Sequence, residues 1–277
     1  MVYQDYMLFP HLTVEANIGF GLKSRRADPA FIRGKVEESA ELLNISHLLH
    51  RYPGTLSGGE QQRAAIARAL VMEPDALLLD EPLSALDVKT RESLRVELAR
   101  IHKATGTTIV HITHNFEEVF DLADRVAIMR GGDVVQVGTP EEIFRRPNSD
   151  FVAGFVGVEN LFRGEGSPDR TVAVGDLRIQ VENAVSGPVS VAIRPEEILL
   201  SKTALPENKK NVFSGRIDSV RPSGGLVRVS VDTGIPFRVT LTRQGFEEAA
   251  IAPGDAVYLA FRPSAAHVYP SGAPEGA

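Results

Sequence analysis

The sequence lacks several features that define whole classes of protein. It contains no cysteine, which excludes disulfide bonds and thiolate metal sites and fits a reducing cytoplasm. No segment approaches the roughly 18 to 20 consecutive apolar residues of a membrane-spanning helix, so a protein working at a membrane would do so as a peripheral subunit. The net charge of −6 argues against a nucleic-acid partner, because such partners are held by an excess of basic residues.

The residues that are present divide the chain into two parts. With 277 residues, 43% hydrophobic and 24% charged, the chain is long enough for one large or two ordinary globular domains. Up to about Asp150, apolar strands alternate with helical patterns, which predicts an α/β fold whose parallel sheet is covered by helices. After Gly157, short alternating strands separated by turns predict a small antiparallel barrel or sandwich.

Local patterns predict individual elements of the first part. A helix is predicted over Val88 to Ala104 and a β-branched strand over Thr107 to Ile112. Asn115 with Glu118 predicts a capping box, in which each side chain bonds the backbone N–H of the other residue. The apolar linker Phe151 to Gly157 is expected to pack against the protein.

The segment TLSGGEQQRAAIARAL, residues 55 to 70, predicts a helix with an accessible N-terminus. Ser57 is a good N-cap, and Gly58 and Gly59 leave the first backbone N–H groups unshielded. Such a helix start suits a phosphate. An ordinary helix start, with glycines that only make a turn, is an equal alternative on these residues alone.

Two further segments end in residues capable of chemistry. LLLDEP predicts a buried strand that ends in Asp80 and Glu81, at the sheet edge where open α/β folds bind ligands. TTIVHITH predicts a neighbouring strand that ends at His114. One carboxylate holding Mg²⁺ and another orienting water would suit phosphoryl transfer. The alternatives are solvated acids and a histidine that caps the next helix, with His111 structural.

Together these segments resemble the ATP-binding-cassette (ABC) ATPase family over residues 1 to about 155. LSGGE at 56 to 60 is similar to the family signature, LLLDEP to its second nucleotide motif, and SALD at 84 to 87 to its dimer-contact loop. His114 corresponds to the switch histidine, and Gln4 to the glutamine loop. The motifs occur in the family's order and spacing.

The resemblance implies a role for each of these residues. ATP and Mg²⁺ would be the cofactors, with Gln4 and Asp80 at the metal, Glu81 as general base and His114 on the γ-phosphate. The signature would bind the nucleotide of the opposite subunit in a head-to-tail homodimer. The nucleotide contacts that the resemblance implies are those of the signature together with the dimer-contact residue: Leu56, Ser57, Gly58, Gly59, Glu60 and Asp87.

The family's phosphate loop, G-x-x-x-x-G-K-S/T, precedes its glutamine loop and does not occur in the printed sequence. The only Gly-Lys pair, Gly34-Lys35, is followed by Val36. The start Val2-Tyr3 reads like the end of a buried strand. We therefore expect a P-loop-type domain truncated at its N-terminus, through a late start site or as a gene fragment. A polypeptide of these residues alone is expected to be inactive.

The second part resembles the transport-associated oligomer-binding (TOBE) domain of importer ATPases, and is most similar to the molybdate and tungstate form. The similarity rests on residues 211 to 248 and 253 to 269. It predicts an ATPase domain over 1–155 and an OB-like regulatory or dimerisation domain over 156–277. Sulfate, iron, polyamine and sugar importers carry related domains and remain alternative substrates. An oxyanion would be held by residues near turns: Ser223, Gly224, Gly225, Thr240 and Thr242.

The resemblance implies the ATPase subunit of a solute importer on the cytoplasmic face of the membrane. Its partners would be permease subunits and, through them, a solute-binding protein, with Tyr6 to Leu12 as the permease contact. A chromosome-maintenance or repair ATPase shares the signature but separates it from the glutamine loop by a long coiled coil, and residues 4 to 56 hold only ordinary helical patterns. A degenerate cassette acting as an interaction protein is the other alternative.

Overall fold

The structure, a computed structural model, describes residues 1–205 and 210–272 and divides into two compact units, 1–124 and 125–277. The first unit contains five α-helices and two strands among the residues described. In chain order these are α1 (Val14–Ser24), α2 (Pro29–Leu42), α3 (Gly58–Leu70), β1 (Ala76–Asp80), α4 (Val88–Thr105), β2 (Thr108–Ile112) and α5 (Phe116–Leu122). The helix predicted from Val88 and the strand ending at Ile112 are confirmed.

Polar N-caps and one glycine C-cap fix where the helices begin and end. Ser57 caps α3 and Asp87 caps α4, each by accepting a backbone N–H of the first turn. Helix α4 ends at Gly106, whose left-handed backbone, with φ of 65°, suits a residue without a side chain. These caps place the signature and the dimer-contact loop at helix N-termini.

The sheet of the first unit is parallel, as predicted. Strands β1 and β2 pair from Ala76 opposite Thr108 to Asp80 opposite Ile112. Val2 forms a parallel bridge with Leu79 on the other side of β1. The two strands therefore bring their carboxyl ends to one edge.

Helices cover only one face of this sheet. Leu77 and Leu79 are buried in the core. Leu78, Val110 and Ile112, on the other face, are 44%, 49% and 54% exposed. Among the described residues, the predicted cover of helices is thus present on one face of the sheet, and the apolar side chains of the other face are exposed.

The capping box predicted for α5 is also absent. Asn115 caps the helix by accepting the N–H of Glu117. Glu118 does not reach back to the N-cap backbone, because its carboxylate accepts a hydrogen bond from the Thr113 hydroxyl instead.

The second unit begins with a hairpin and two short helices and continues as β structure. The first four elements are β3 (Val126–Arg130), β4 (Asp133–Gly138), α6 (Pro140–Arg145) and α7 (Asp150–Phe155). The apolar linker is thus mostly helical, and it packs as expected, with Val152 and Ala153 buried. Residues 125–155 group with the strands that follow, so the boundary between the two compact units lies 31 residues before the predicted domain boundary. The predicted division of the domains at residue 155 stays a prediction.

Two antiparallel sheets form the rest of the second unit and share one apolar core. One has the order β14-β8-β5-β6-β7 and the other β12-β11-β10-β13-β9. The strands are β5 (Asn160–Ser167), β6 (Thr171–Val174), β7 (Leu177–Gln180), β8 (Gly187–Ile193), β9 (Leu199–Ser201), β10 (Val212–Ser223), β11 (Leu226–Asp232), β12 (Pro236–Thr242), β13 (Ala256–Ala260) and β14 (Ala266–Pro270), with helix α8 (Arg243–Ala249) after β12. Among the described residues, no helix is long and apolar enough to cross a membrane.

Candidate functional site

The strand β1 delivers Glu81 to the carboxyl edge of the sheet in a strained backbone conformation. Its φ of 42° lies in the left-handed region, which is unfavourable for a residue with a side chain. The Glu81 N–H donates to the carbonyl of Ile112 at 3.0 Å, and this bond ties the residue to the end of β2. Glu81 Oε1 lies 3.2 Å from Nδ1 of His114. The structure therefore joins the predicted acid and histidine directly.

Gln4 joins the same cluster through Ser84. The Gln4 amide nitrogen donates to Ser84 Oγ at 3.4 Å, and Ser84 Oγ donates to the Glu81 carbonyl at 2.9 Å. These contacts link residues that are 80 positions apart in the chain. Three of the residues predicted to act on nucleotide, Gln4, Glu81 and His114, thus lie in one connected group.

Asp80 occupies the last position of β1, next to this group. Its backbone N–H donates to the carbonyl of Val2 at 3.0 Å. No described side chain donates a hydrogen bond to its half-buried carboxylate. Mg²⁺ is commonly held by one or two protein oxygen ligands together with substrate phosphates. The Asp80 carboxylate is thus available as one such oxygen ligand, and the described residues hold no cluster of three acidic or histidine side chains that would bind a metal alone.

The signature segment forms the capped start of α3. Ser57 Oγ accepts the N–H of Glu60, while the Glu60 carboxylate accepts from the Ser57 N–H at 2.7 Å. The Ser57 hydroxyl also donates to Glu60 Oε2 at 2.8 Å, and these two hydrogen bonds, from the backbone N–H and the hydroxyl of Ser57, hold the pKa of the Glu60 carboxyl below its ordinary value. Leu56 is buried, whereas Ser57 and Gly58 are exposed. The backbone at the start of this helix is therefore accessible.

Gly59 is the point where the signature helix approaches α4. A Cβ added to Gly59 would lie 2.7 Å from Cγ2 of Thr90. A Cβ on Gly58 would meet only ordinary contacts, the nearest being Leu86 at 3.6 Å. Thr90 also bonds Asp87, which holds the pKa of that carboxyl below its ordinary value. Packing therefore ties the signature to the loop that contains Asp87.

The signature and the acid–histidine cluster remain separate within one chain. Among the described residues, no hydrogen bond or ion pair joins Ser57, Gly59 or Glu60 to Glu81 or His114. The predicted site residues thus fall into two groups, one around Glu81 and one at the start of α3.

Sequence reasoning missed several residues around the acid–histidine pair. Arg91 donates to the carbonyls of Leu83 and Leu86, at 3.2 and 3.0 Å, and so fixes the dimer-contact loop. Arg91 also lines the cleft at Glu81 and His114, as do Thr113 and Glu118. The only sequence signal for Arg91 is its spacing of four from Asp87, which is too common to be informative.

The segment Tyr6 to Leu12 is held in an unusual conformation. Tyr6 and Met7 both have positive φ, 59° and 46°. Arg68, from α3, donates to both of their carbonyls, at 2.9 and 2.6 Å. The buried Asn17 donates to the carbonyls of Phe9 and Leu12, each at 3.1 Å. Two polar side chains to which sequence reasoning assigned no such role thus hold this segment.

The turn residues named as oxyanion ligands lie near one another along strands β10 to β12. Gly224 turns the β10–β11 hairpin with φ of 61°. Thr242 Oγ1 is already used, since it accepts the N–H of Gly245 as the cap of α8. Arg228 pairs with Glu159, and Arg262 with Glu197. Both arginine side chains are mostly exposed to solvent.

Comparison with known proteins matches both parts of the chain. The family described as "ABC transporter" matches residues 1–84, and the family described as "TOBE domain" matches residues 191–269. The chain is 47% identical over 268 residues to the molybdate/tungstate import ATP-binding protein WtpC of Pyrococcus horikoshii, covering 96% of this chain and 77% of that protein.

Two further relatives show how widely the similarity extends. The WtpC protein of Pyrococcus abyssi is 44% identical, with 96% of this chain and 77% of the relative covered. The spermidine/putrescine import ATP-binding protein PotA of Acidothermus cellulolyticus is 40% identical, with 95% and 71% covered.

The matched domains and the site together define an ABC-type ATPase with a TOBE domain. This confirms the fold class and the enzyme class predicted from the sequence. The chain belongs to the family of ATP-binding subunits of ABC importers.

Proposed function

We propose that Glu81 is the general base of ATP hydrolysis and that His114 orients both Glu81 and the γ-phosphate. The observation that carries this proposal is the 3.2 Å contact between Glu81 and His114 at the carboxyl edge of the sheet. Gln4, tied to Glu81 through Ser84, would help to place the attacking water through its amide. The strained Glu81 backbone, anchored to Ile112, supports a functional role.

Asp80 and Gln4 would hold Mg²⁺ together with the phosphates of ATP. The ion would neutralise charge that develops on the phosphates during transfer. Asp80 suits this role because its carboxylate has no competing donor among the described side chains and lies at the carboxyl end of β1.

The signature would act on the nucleotide of a second copy. Ser57 and the exposed backbone at Gly58 offer N–H and hydroxyl donors, yet nothing in one chain connects them to Glu81. A head-to-tail homodimer would join the two groups, with Leu56 and Glu60 supporting the helix start and Asp87 placing the dimer-contact loop.

The segment Tyr6 to Leu12 would contact a membrane permease. Met7 is 57% exposed and lies in a segment held by Arg68, and Phe9 packs on Phe20, which is 44% exposed. Such apolar exposure suits a protein partner. The subunit would then sit on the cytoplasmic face of the membrane and work with a solute-binding protein.

We infer an oxyanion, molybdate or tungstate, as the transported solute. Support comes from the names of the two archaeal relatives at 47% and 44% identity. The polyamine name of a relative at 40% makes spermidine or putrescine the first alternative. Within the chain, the TOBE domain would either sense the oxyanion or brace the dimer.

The role of Glu81 can be tested by making Glu81→Gln in the full-length protein and measuring both ATP turnover and ATP binding. The amide keeps the shape of the carboxylate but takes no proton from water, so ATP turnover should be lost while ATP binding persists. The exposed Glu117 offers a matched control, because Glu117→Gln makes the same change outside the cleft. Turnover of the Glu81 variant at the rate of the control would refute the assignment.

Oxyanion sensing can be tested by calorimetry of the whole chain with molybdate, tungstate and sulfate. Heat with the first two ions that is lost in Gly224→Ala would support sensing. Gly234→Ala is the control, since Gly234 also has positive φ, 94°, in the hairpin turn after β11. Absence of heat in the folded protein would leave bracing as the function of the TOBE domain.

A further inference from the structure

Both neighbours of His114 in the chain are held by one partly buried hydrogen-bond network. The Thr113 hydroxyl donates to Glu118 Oε2 at 2.6 Å and accepts the N–H of Asn115 at 3.0 Å. The residues before and after His114 are thereby fixed to each other and to helix α5. Thr113 and Glu118 line the same cleft as Glu81 and His114.

Glu118 is a buried charge with a defined set of partners. It is 4% exposed. Burial opposes its ionisation, but His111 and Thr113 outweigh burial and hold the pKa of the Glu118 carboxyl below its ordinary value. Nε2 of His111 lies 3.2 Å from Glu118 Oε2, without the alignment of a hydrogen bond. Glu118 therefore anchors the network as a carboxylate and receives contacts from both β2 and the loop that follows it.

His114 itself has little packing that could hold it in place. Its side chain is 74% exposed, and Glu81 is the one described side chain within hydrogen-bond distance. One polar contact in solvent holds an exposed side chain only weakly, so the contact depends on where the backbone places the ring. The orientation of His114 toward Glu81 must therefore depend on the conformation of residues 113–115.

We propose that Thr113 and Glu118 are positioning residues that hold His114 against Glu81. The Thr113 hydroxyl is the central element, because it contacts both the Glu118 carboxylate and the Asn115 backbone. Loss of that hydroxyl frees the loop and breaks the Glu81–His114 contact. The importance of this for catalysis rests on the proposed function, whereas the geometry itself does not.

The test measures the coupling between Glu81 and His114 without using ATP turnover. The NMR shift of the His114 ring carbon Cε1 is recorded in protein labelled at histidine, and assigned with a His114→Gln variant. In the otherwise unchanged chain, Glu81→Gln should move this signal, because it removes the charge next to Nδ1. In a Thr113→Val background, which keeps the shape of residue 113 but removes the hydroxyl, the response to Glu81→Gln should be lost.

Two matched variants separate positioning from a general effect on the fold. Thr113→Ser keeps the hydroxyl and should retain the response. Glu118→Gln should reduce the response, while Glu117→Gln, one residue away and exposed, should leave it unchanged. A full response in both Thr113→Val and Glu118→Gln would overturn the proposal, as would its loss in Thr113→Ser. These outcomes differ from a failure of the proposed function, in which the coupling persists but Glu81→Gln leaves turnover intact.

Discussion

Replacing Gly59 by alanine should destabilise the first unit through a single methyl–methyl clash. The new Cβ would lie 2.7 Å from Cγ2 of Thr90, closer than atoms in a packed core approach. Overpacking of this kind typically costs about 1–3 kcal/mol. Alanine in a helix regains up to about 1 kcal/mol relative to glycine. We therefore expect a net loss in the free energy of unfolding of about 0–2 kcal/mol.

The clash involves one removable methyl group, which makes the prediction specific. Thr90→Ser deletes Cγ2 but keeps the backbone N–H that donates a hydrogen bond to Asp87 Oδ1. In this background, Gly59→Ala should be neutral or stabilising by up to about 1 kcal/mol. The two substitutions should thus couple by about 1–3 kcal/mol. Gly58→Ala is the matched control, since its nearest neighbour would be at 3.6 Å.

The assay is urea unfolding followed by circular dichroism at a helix wavelength. The longest helices, α2, α3 and α4, all belong to the first unit, so the signal reports mainly on that unit. If Gly59→Ala destabilised the protein equally with Thr90 and with Ser at position 90, the packing argument would be refuted. Stabilisation in both backgrounds would refute it as well.

Three further predictions follow from other contacts. Arg68→Lys removes the planar side chain that donates to two backbone carbonyls. It should lower the free energy of unfolding by about 1–3 kcal/mol and speed amide hydrogen exchange in residues 6–12. Arg25→Lys, at an exposed position, is the control. Ser57→Ala deletes the N-cap of α3 and should lower the free energy of unfolding by about 1 kcal/mol, measured in urea; no change would show that the cap contributes nothing. The third prediction concerns pH. Hydrogen bonds from Ser57 lower the pKa of the Glu60 carboxyl. The contribution of Glu60 to the free energy of unfolding is therefore present above the ordinary carboxyl pKa and is lost as the pH falls through the lowered pKa. The difference in urea midpoint between the parent and Glu60→Gln should shrink over that range, and an unchanged difference would contradict the assignment.

The sequence was most informative where the cause of a structure is local. The strands ending at Asp80 and Ile112 and the cap at Ser57 follow from residues within one helical turn or one strand. Short-range patterns such as a polar cap before an apolar helix are determined by the chain itself. These elements place Glu81 and His114 at the same sheet edge, so their proximity could be predicted.

Contacts between distant residues could not be predicted in the same way. Arg68 reaches Tyr6 across 62 positions, and Asn160 bonds the carbonyl of Arg238 across 78. Each residue alone looks like an ordinary polar side chain. Its partner is a backbone carbonyl, which carries no sequence identity, so no pattern in the residues marks the contact. The exposure of Leu78 and Val110 belongs to the same class, because covering a strand depends on another segment.

The same spacing of a polar cap and a glutamate three residues later gave two different results. Ser57 with Glu60, and Thr139 with Glu142, form complete capping boxes. Asn115 with Glu118 does not. Among the described residues, the Glu60 and Glu142 carboxylates accept hydrogen bonds from their own cap residues, Ser57 and Thr139, whereas Glu118 is buried beside a threonine hydroxyl and a histidine. Burial strengthens the 2.6 Å hydrogen bond that Glu118 accepts from Thr113, so a contact with the residues before the helix replaces the capping box at Asn115.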